Sequence, residues 1–164
     1  MKNSNLDIKG SVLLLGKSEE LVYIDRKMLR ACGAGRAVFS RNGLKTARFL
    51  AALPESKRPA FIFCAEPADM GNLQFLRLIR LHPGLFDLPM ILVMDRLDSQ
   101  IIAETGKLGS CSLLVRPYTQ KEMENAILNA GKEKSRLEPC PDASMFNQAL
   151  TAMDASSPPT PPAR

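Results

Sequence analysis

The run FIFCA at Phe61–Ala65 is the strongest indication of the fold of this 164-residue chain. Its five residues are all apolar, without the polar alternation of a half-exposed strand, which is typical of a strand buried on both faces of a sheet. A second such run, PMILVM, occupies residues 89–94. Between the two, an apolar helical pattern begins at Asn72, the expected N-cap, and ends before Pro83-Gly84. Strand, helix and strand in this order predict two parallel strands joined by a crossover helix.

The same alternation continues in both directions along the chain. Three further strands are predicted, at residues 11–15 (SVLLL), 36–40 and 112–115. A helix is expected after each strand, beginning near residues 19, 42, 72, 98 and 119. Five strand–helix repeats predict an α/β fold, in which a five-stranded parallel sheet lies between two layers of helices.

Apolar spacing and capping residues indicate which helical faces turn inward. In the first helix, capped by Ser18, four residues are expected to face the core: Leu21, Ile24, Met28 and Cys32. In the helix capped by Asp98, three residues are expected inside: Ile101, Ile102 and Thr105. Thr119 and Glu122 form the capping-box pattern that opens the last helix of the domain.

The composition changes after residue 131. Residues 1–9 are a polar lead, residues 10–131 form the predicted domain, and residues 132–164 hold 6 of the 12 prolines. Within this Pro-rich tail, residues 142–153 predict a short amphipathic helix. Its apolar face consists of Met145, Phe146, Ala149, Leu150 and Met153. This face is expected either to pack on its own domain or to dock in a groove of another protein.

Charge and cysteine content restrict the function classes. Residues 1–58 carry 12 Lys and Arg against 5 Asp and Glu, which predicts either a solvated basic face or an anionic partner. Aromatic residues make up only 5% of the chain and Trp is absent, so single-stranded nucleic acid is an improbable partner.

The four cysteines form no CxxC pair and His82 stands apart from them, so no metal site is expected. No signal peptide or membrane span is visible, which predicts a cytoplasmic protein with reduced thiols.

Two segments resemble the receiver domain of response regulators, the CheY-like module of bacterial two-component phosphorelay signalling. They are Asn72–Arg80 (NLQFLRLIR) and residues 108–118 (LGSCSLLVRPY). The resemblance spans about residues 10–131 and implies a flavodoxin-like (βα)5 three-layer sandwich. It also implies a cis peptide bond before Pro117.

The family's phosphoryl chemistry uses residues at the carboxyl ends of the strands, and this sequence departs from all of them. Gly16 and Lys17 stand where the resemblance implies a magnesium-binding acidic pair. Cys64 stands where it implies the phospho-acceptor aspartate, and Met94 stands where it implies a hydroxyl residue. Arg116 replaces the lysine. The chain therefore resembles a degenerate pseudo-receiver that cannot be phosphorylated on aspartate and needs no cofactor or metal.

The resemblance implies a non-catalytic protein-interaction module and not an enzyme. Its partner is expected to be a kinase, a receptor, another regulator or a second copy of the chain. The face implied is that of the fourth helix, fifth strand and fifth helix: Ile101, Lys107, Leu113, Lys121 and Glu124. Leu113 also replaces the family's switch aromatic.

Two alternatives use the same site. Lys17 and Arg116 could together bind a small anionic ligand at the degenerate phosphate site, because ligands of open α/β sheets bind at the carboxyl ends of the strands. Cys64 is a candidate for a thiol-based switch, because nearby cations lower a thiol pKa.

Overall fold

A computed structural model describes residue 6 and residues 8–132 and 138–156. Five parallel strands form one sheet in the order β2-β1-β3-β4-β5. The strands are β1 (Val12–Gly16), β2 (Ala37–Ser40), β3 (Phe61–Ala65), β4 (Met90–Met94) and β5 (Cys111–Val115). The helices are α1 (Tyr23–Ala31), α2 (Gly43–Ala52), α3 (Asn72–Arg80), α4 (Ser99–Leu108), α5 (Gln120–Ala130) and α6 (Ser144–Ser156). The predicted flavodoxin-like (βα)5 fold is confirmed.

Each face of the sheet carries its own apolar core. Leu13, Leu15 and Ile62 contribute to the core beneath α2 and α3, whereas Val12, Leu14 and Phe63 contribute to the core beneath α1 and α5. Neighbouring residues of one strand point to opposite faces, so the uninterrupted apolar runs supply both cores at once. None of the described helices is long and apolar enough to cross a membrane.

The first helix turns only part of the expected face into the core. Leu21 and Ile24 are 65% and 63% exposed, and the residues turned into the core are Val22, Asp25 and Leu29. The helix begins only at Tyr23, and Ser18 accepts a hydrogen bond from the Leu21 amide without capping it. The expectation is confirmed for Cys32, which is buried, and for Met28, which packs against the same core. It was wrong for Leu21 and Ile24 and missed Asp25, whose burial depends on partners in a distant part of the chain.

Other capping and packing expectations had mixed outcomes. Asp98 caps α4, and Thr119 and Glu122 form a complete capping box at α5. Thr105 is buried as expected, but Ile102 is 53% exposed because it lies on the outer side of α4. The expectation that Ile102 faces the core was therefore wrong.

Helix α6 lies on its own domain. Phe146 and Leu150 are 1% and 7% exposed within the core beneath α2 and α3, and the Phe146 ring meets His82 edge-on at 5.0 Å. Ala149 and Met153 pack against the same core, whereas Met145 is 53% exposed. In this arrangement Phe146 and Leu150 are not available to a groove on another protein.

Candidate functional site

The carboxyl ends of the strands meet at one edge of the sheet. Gly16 ends β1 beside Ala65, and Met94 ends β4 beside Val115. Strand β3 continues one residue beyond Cys64 to Ala65, as the apolar run FIFCA predicts, so Cys64 is the next-to-last residue of the strand. The last side chain of β3 is the methyl group of Ala65.

Cys64 lies inside the sheet, between Leu15 of β1 and Leu92 of β4. Its side chain is fully buried, and its Sγ donates a hydrogen bond to Asn72 Oδ1 at 3.1 Å. Burial raises the pKa of the Cys64 thiol far above its ordinary value. A thiol in these surroundings stays protonated at neutral pH, which makes it a poor nucleophile.

Asn72 connects two strand ends, a role that the sequence reading missed. The N-cap of α3 is Gly71, so the expectation that Asn72 caps this helix was wrong. Its Oδ1 accepts from the Glu66 amide at 2.6 Å, and its Nδ2 donates to the Val93 carbonyl at 2.7 Å. Glu66, with a φ of 60°, turns the chain sharply after β3, and Asn72 holds that turn against β4.

The end of β1 has no room for a side chain. A Cβ atom placed on Gly16 would lie 2.4 Å from Val22 Cγ1, closer than any two such carbons approach. Val22 thus fills the space where a carboxylate is implied by the resemblance. The next residue, Lys17, extends outward, and its Nζ lies 3.6 Å from Glu66 Oε1. Both of these side chains are more than half exposed.

Arg116, after the end of β5, binds a buried carboxylate. Its Nη2 donates to Asp25 Oδ2, and the Tyr118 hydroxyl donates to Asp25 Oδ1. The Asp25 side chain is 2% exposed, and that of Arg116 is 34% exposed. Burial and the neighbouring carboxylate raise the pKa of Tyr118. The Arg116–Pro117 peptide bond is cis.

Asp25 and Tyr118 were absent from the residues that the sequence singled out. No local signal identifies Asp25, because a lone carboxylate on a helix is normally solvent-exposed. A cavity of about 510 Å³ opens beside this pair and is lined by Leu21, Ile24, Asp25, Asp95, Arg116, Pro117 and Tyr118. Its charged lining is two carboxylates and one guanidinium, a poor match for an anion. In the described part of the chain, no three His, Cys, Asp or Glu side chains group as a metal site.

The implied partner face lies along the β5 edge of the sheet. Strand β5 is an edge strand, and a groove of about 720 Å³ runs between it and α5. Of the five residues expected there, Leu113 lines this groove. Lys107 and Lys121 are exposed, and Ile101 and Glu124 are half-buried. Three further apolar residues on this side are between 41% and 53% exposed: Leu97, Ile102 and Leu128.

Comparison with known proteins identifies the fold. No protein-family profile and no curated protein matches the chain. Among solved structures, the bacteriophytochrome response regulator RtBRR superposes with a TM-score of 0.62 at 17% identity, over 90% of this chain and 94% of that one. The receiver domain of a sensor histidine kinase from Pseudomonas aeruginosa PAO1, with magnesium in its active-site cleft, superposes with a TM-score of 0.60 at 17% identity, over 75% of this chain and 98% of that one. The signal receiver domain of a histidine kinase from Syntrophus aciditrophicus superposes with a TM-score of 0.56 at 18% identity, over 94% of this chain and 99% of that one. The chain therefore has the receiver-domain fold.

Proposed function

We propose that this chain is a non-catalytic, receiver-like signalling module that acts through protein–protein contacts and is not phosphorylated on aspartate. The observation that carries the proposal is the ion pair of Arg116 with Asp25. In a phosphorylated receiver, the cation after β5 pairs with the phosphoryl group. Here the corresponding cation, Arg116, already forms an ion pair with Asp25 of the same chain.

The other strand ends support the same conclusion. An acyl phosphate needs a carboxylate acceptor, and β3 ends in Cys64 and Ala65. A bound magnesium ion needs oxygen ligands, and Gly16 offers no side chain while Lys17 is a cation. Val22 fills the space beside Gly16, so a carboxylate side chain has no room at this position. A module with its cation permanently paired has no phosphate-driven equilibrium to shift.

The two alternatives have less support. An anionic ligand would have to compete with Glu66 for Lys17 and with Asp25 for Arg116. A thiol switch at Cys64 would need an accessible thiolate, and this thiol is buried with a raised pKa.

The partner is a signalling protein (a kinase, a receptor or another regulator) or a second copy of the chain, in the cytoplasm. The face we propose is that of α4, β5 and α5, because it combines an open strand edge with the exposed side chains of Leu97, Ile102 and Leu128. An apolar centre with Lys107, Lys121 and Glu122 around it resembles the usual composition of protein interfaces.

The phosphorylation part is tested by incubating the protein with magnesium and acetyl phosphate, beside a chemotaxis receiver domain as the positive control. Intact-mass spectrometry is expected to show no phosphoryl adduct on this chain. A hydroxylamine-sensitive adduct would overturn this part of the proposal.

A panel of phosphate-containing metabolites tests the ligand alternative by thermal denaturation, since binding to the native state raises Tm. A rise that is lost in Lys17→Ala would favour that alternative.

The interface part is tested with Ile102→Ser combined with Leu128→Ser, and with Met145→Ser on α6 as the control. All three side chains are about half exposed, so the substitutions leave the core intact. Affinity purification from extract of the source cells, with light scattering for self-association, is the measurement. The double variant is expected to lose a partner that the wild type and the control retain. Equal recovery by all three proteins would reject this face.

A further inference from the structure

A second surface, at the other edge of the sheet, has a strong charge bias. Residues 26–54 contain no Asp or Glu and seven cations: Arg26, Lys27, Arg30, Arg36, Arg41, Lys45 and Arg48. They lie on α1, on α2 and on either side of β2, the strand at that edge. Within the described residues, Arg48 is the only one of the seven in an ion pair, with Asp154 of α6.

An apolar groove of about 400 Å³ lies within this basic edge, and we call it the β2–α2 groove. Its apolar lining includes Val38 of β2, Phe49 of α2 and Leu53, which follows the end of α2. Val38 and Phe49 are 41% and 59% exposed, although both are large apolar side chains. Arg36 and Lys57 line the same groove.

We infer that the β2–α2 groove binds an acidic segment of another protein that carries a large apolar side chain. The apolar side chain enters between Val38 and Phe49. Asp and Glu residues on either side of it pair with Arg36 and Lys57. Lys45, one helical turn before Phe49 on the same side of α2, extends the basic rim.

The groove favours a protein segment over nucleic acid. A nucleic acid would neutralise the cations but make no use of an apolar groove, because its contacts are dominated by phosphates. Protein interfaces combine an apolar centre with a polar rim, which is the arrangement at Val38, Phe49, Arg36 and Lys57. This surface is separate from the α4–β5–α5 face, so the inference does not depend on the proposed function.

The probe is a phage-displayed library of random peptides of about twelve residues, selected against the full chain. We expect the enriched peptides to combine Asp and Glu with Phe, Leu or Ile. The most enriched peptide is then titrated by fluorescence anisotropy against three variants. Phe49→Ser removes the apolar contact, Arg36→Glu with Lys57→Glu reverses the rim, and Leu128→Ser is a control at the opposite edge. All these side chains lie at the surface.

The first two variants are expected to raise Kd by about tenfold or more, and the control is expected to change it by less than about twofold. Added salt is expected to weaken the wild-type complex. Failure to enrich any peptide, enrichment of peptides without acidic residues, or an unchanged Kd with Phe49→Ser would overturn the inference. So would a DNA duplex of about 20 base pairs that binds more tightly than the peptide and equally well to Phe49→Ser, since the edge would then serve nucleic acid.

Discussion

Asp25 of α1 and Arg116 after β5 form an ion pair between residues 91 positions apart. The carboxylate is nearly inaccessible to solvent, and both of its oxygens accept hydrogen bonds, one from Arg116 and the other from Tyr118. A buried charge is tolerated only when it is paired and hydrogen-bonded. The pair therefore joins the first helix to the connection between β5 and α5.

Removal of the Asp25 charge should destabilise the protein. Asp25→Asn leaves the partly buried Arg116 guanidinium without its counter-charge, and we expect a loss of about 2 kcal/mol in the free energy of unfolding. This is less than for a fully buried pair because a third of Arg116 is exposed. Urea denaturation is the measurement. Glu104→Gln, which breaks the exposed pair with Arg77, is the matched control and should cause no resolvable change. Equal losses in the two variants would show that burial does not distinguish these pairs.

Arg80 should be the most sensitive cation in the core. It is 3% exposed, and burial lowers its pKa to about 10, so it remains charged at neutral pH. Its guanidinium donates to five carbonyls of the α3–β4 and α4–β5 connections: Leu85, Leu88, Leu108, Gly109 and Ser110.

Arg80→Met keeps the aliphatic length but leaves those carbonyls without a donor. We expect a loss of about 3 kcal/mol or more in the free energy of unfolding, since unsatisfied buried polar groups are costly. Arg77→Met, on the exposed side of the same helix, is the control for helix propensity. If both variants unfold at the same urea concentration, the proposed role of Arg80 as a bridge between the two connections is wrong.

The four thiols should differ sharply in reactivity. Burial raises the pKa of Cys64 and, to about 12 and about 11 respectively, those of Cys111 and Cys32. Cys140 precedes α6 and is only half-buried. With iodoacetamide at about pH 8, Cys140 is expected to react first. Cys111 is also half-buried but has a raised pKa, so it should react more slowly, and the buried Cys32 and Cys64 should react only after unfolding. Peptide mapping by mass spectrometry follows each site. Modification of Cys64 in the folded protein as fast as Cys140 would revive the thiol-switch alternative.

The tail helix should contribute to the stability of the domain. Phe146→Ala together with Leu150→Ala removes two side chains from the core, and we expect a loss of about 4 kcal/mol or more. Met145→Ala, on the exposed side of the same helix, is the control and should have little effect. The free energy of unfolding from urea titration measures both. A double variant as stable as the control would mean that α6 is not held on the domain in solution.

At acidic pH, protonation of His82 should weaken its contact with Phe146 of α6. Its Nδ1 accepts a hydrogen bond from the Gly84 amide, and burial together with Arg58 lowers its pKa below the ordinary 6.5. Because the unfolded chain binds the proton more readily than the folded one, this contribution is present above pH 6.5 and is lost as the pH falls through the lowered folded-state pKa. We expect His82→Gln to lose less stability than the wild type when the pH falls from about 7.5 to about 5.5. Parallel pH dependences in the two proteins would exclude a role for His82.

The strands were predictable because their signal is local. The apolar run at Phe61–Ala65 needs no knowledge of its neighbours, and its lack of alternation already requires cover on both faces. The capping box at Thr119 and Glu122 is equally local, since both partners lie within one helical turn. The run does not show, however, that the Cys64 side chain is fully buried and hydrogen-bonded to Asn72.

The site was decided by contacts between distant segments. Asn72 fits an N-cap by sequence, yet in the structure its side chain joins the ends of β3 and β4. Helical spacing allows either Leu21 and Ile24 or Val22 and Asp25 to face the core. The sequence favours the first pair because both of its residues are apolar, whereas the second includes a carboxylate.

The order of the elements, the parallel sheet and the identity of the residues at its strand ends follow from the sequence alone. The burial of Asp25 and its pairing with Arg116 become visible only in the folded chain. The physical reason is that burying a carboxylate is unfavourable on its own and becomes acceptable only when a guanidinium and a hydroxyl meet it. Those groups come from residues 116 and 118, which only the fold brings to α1.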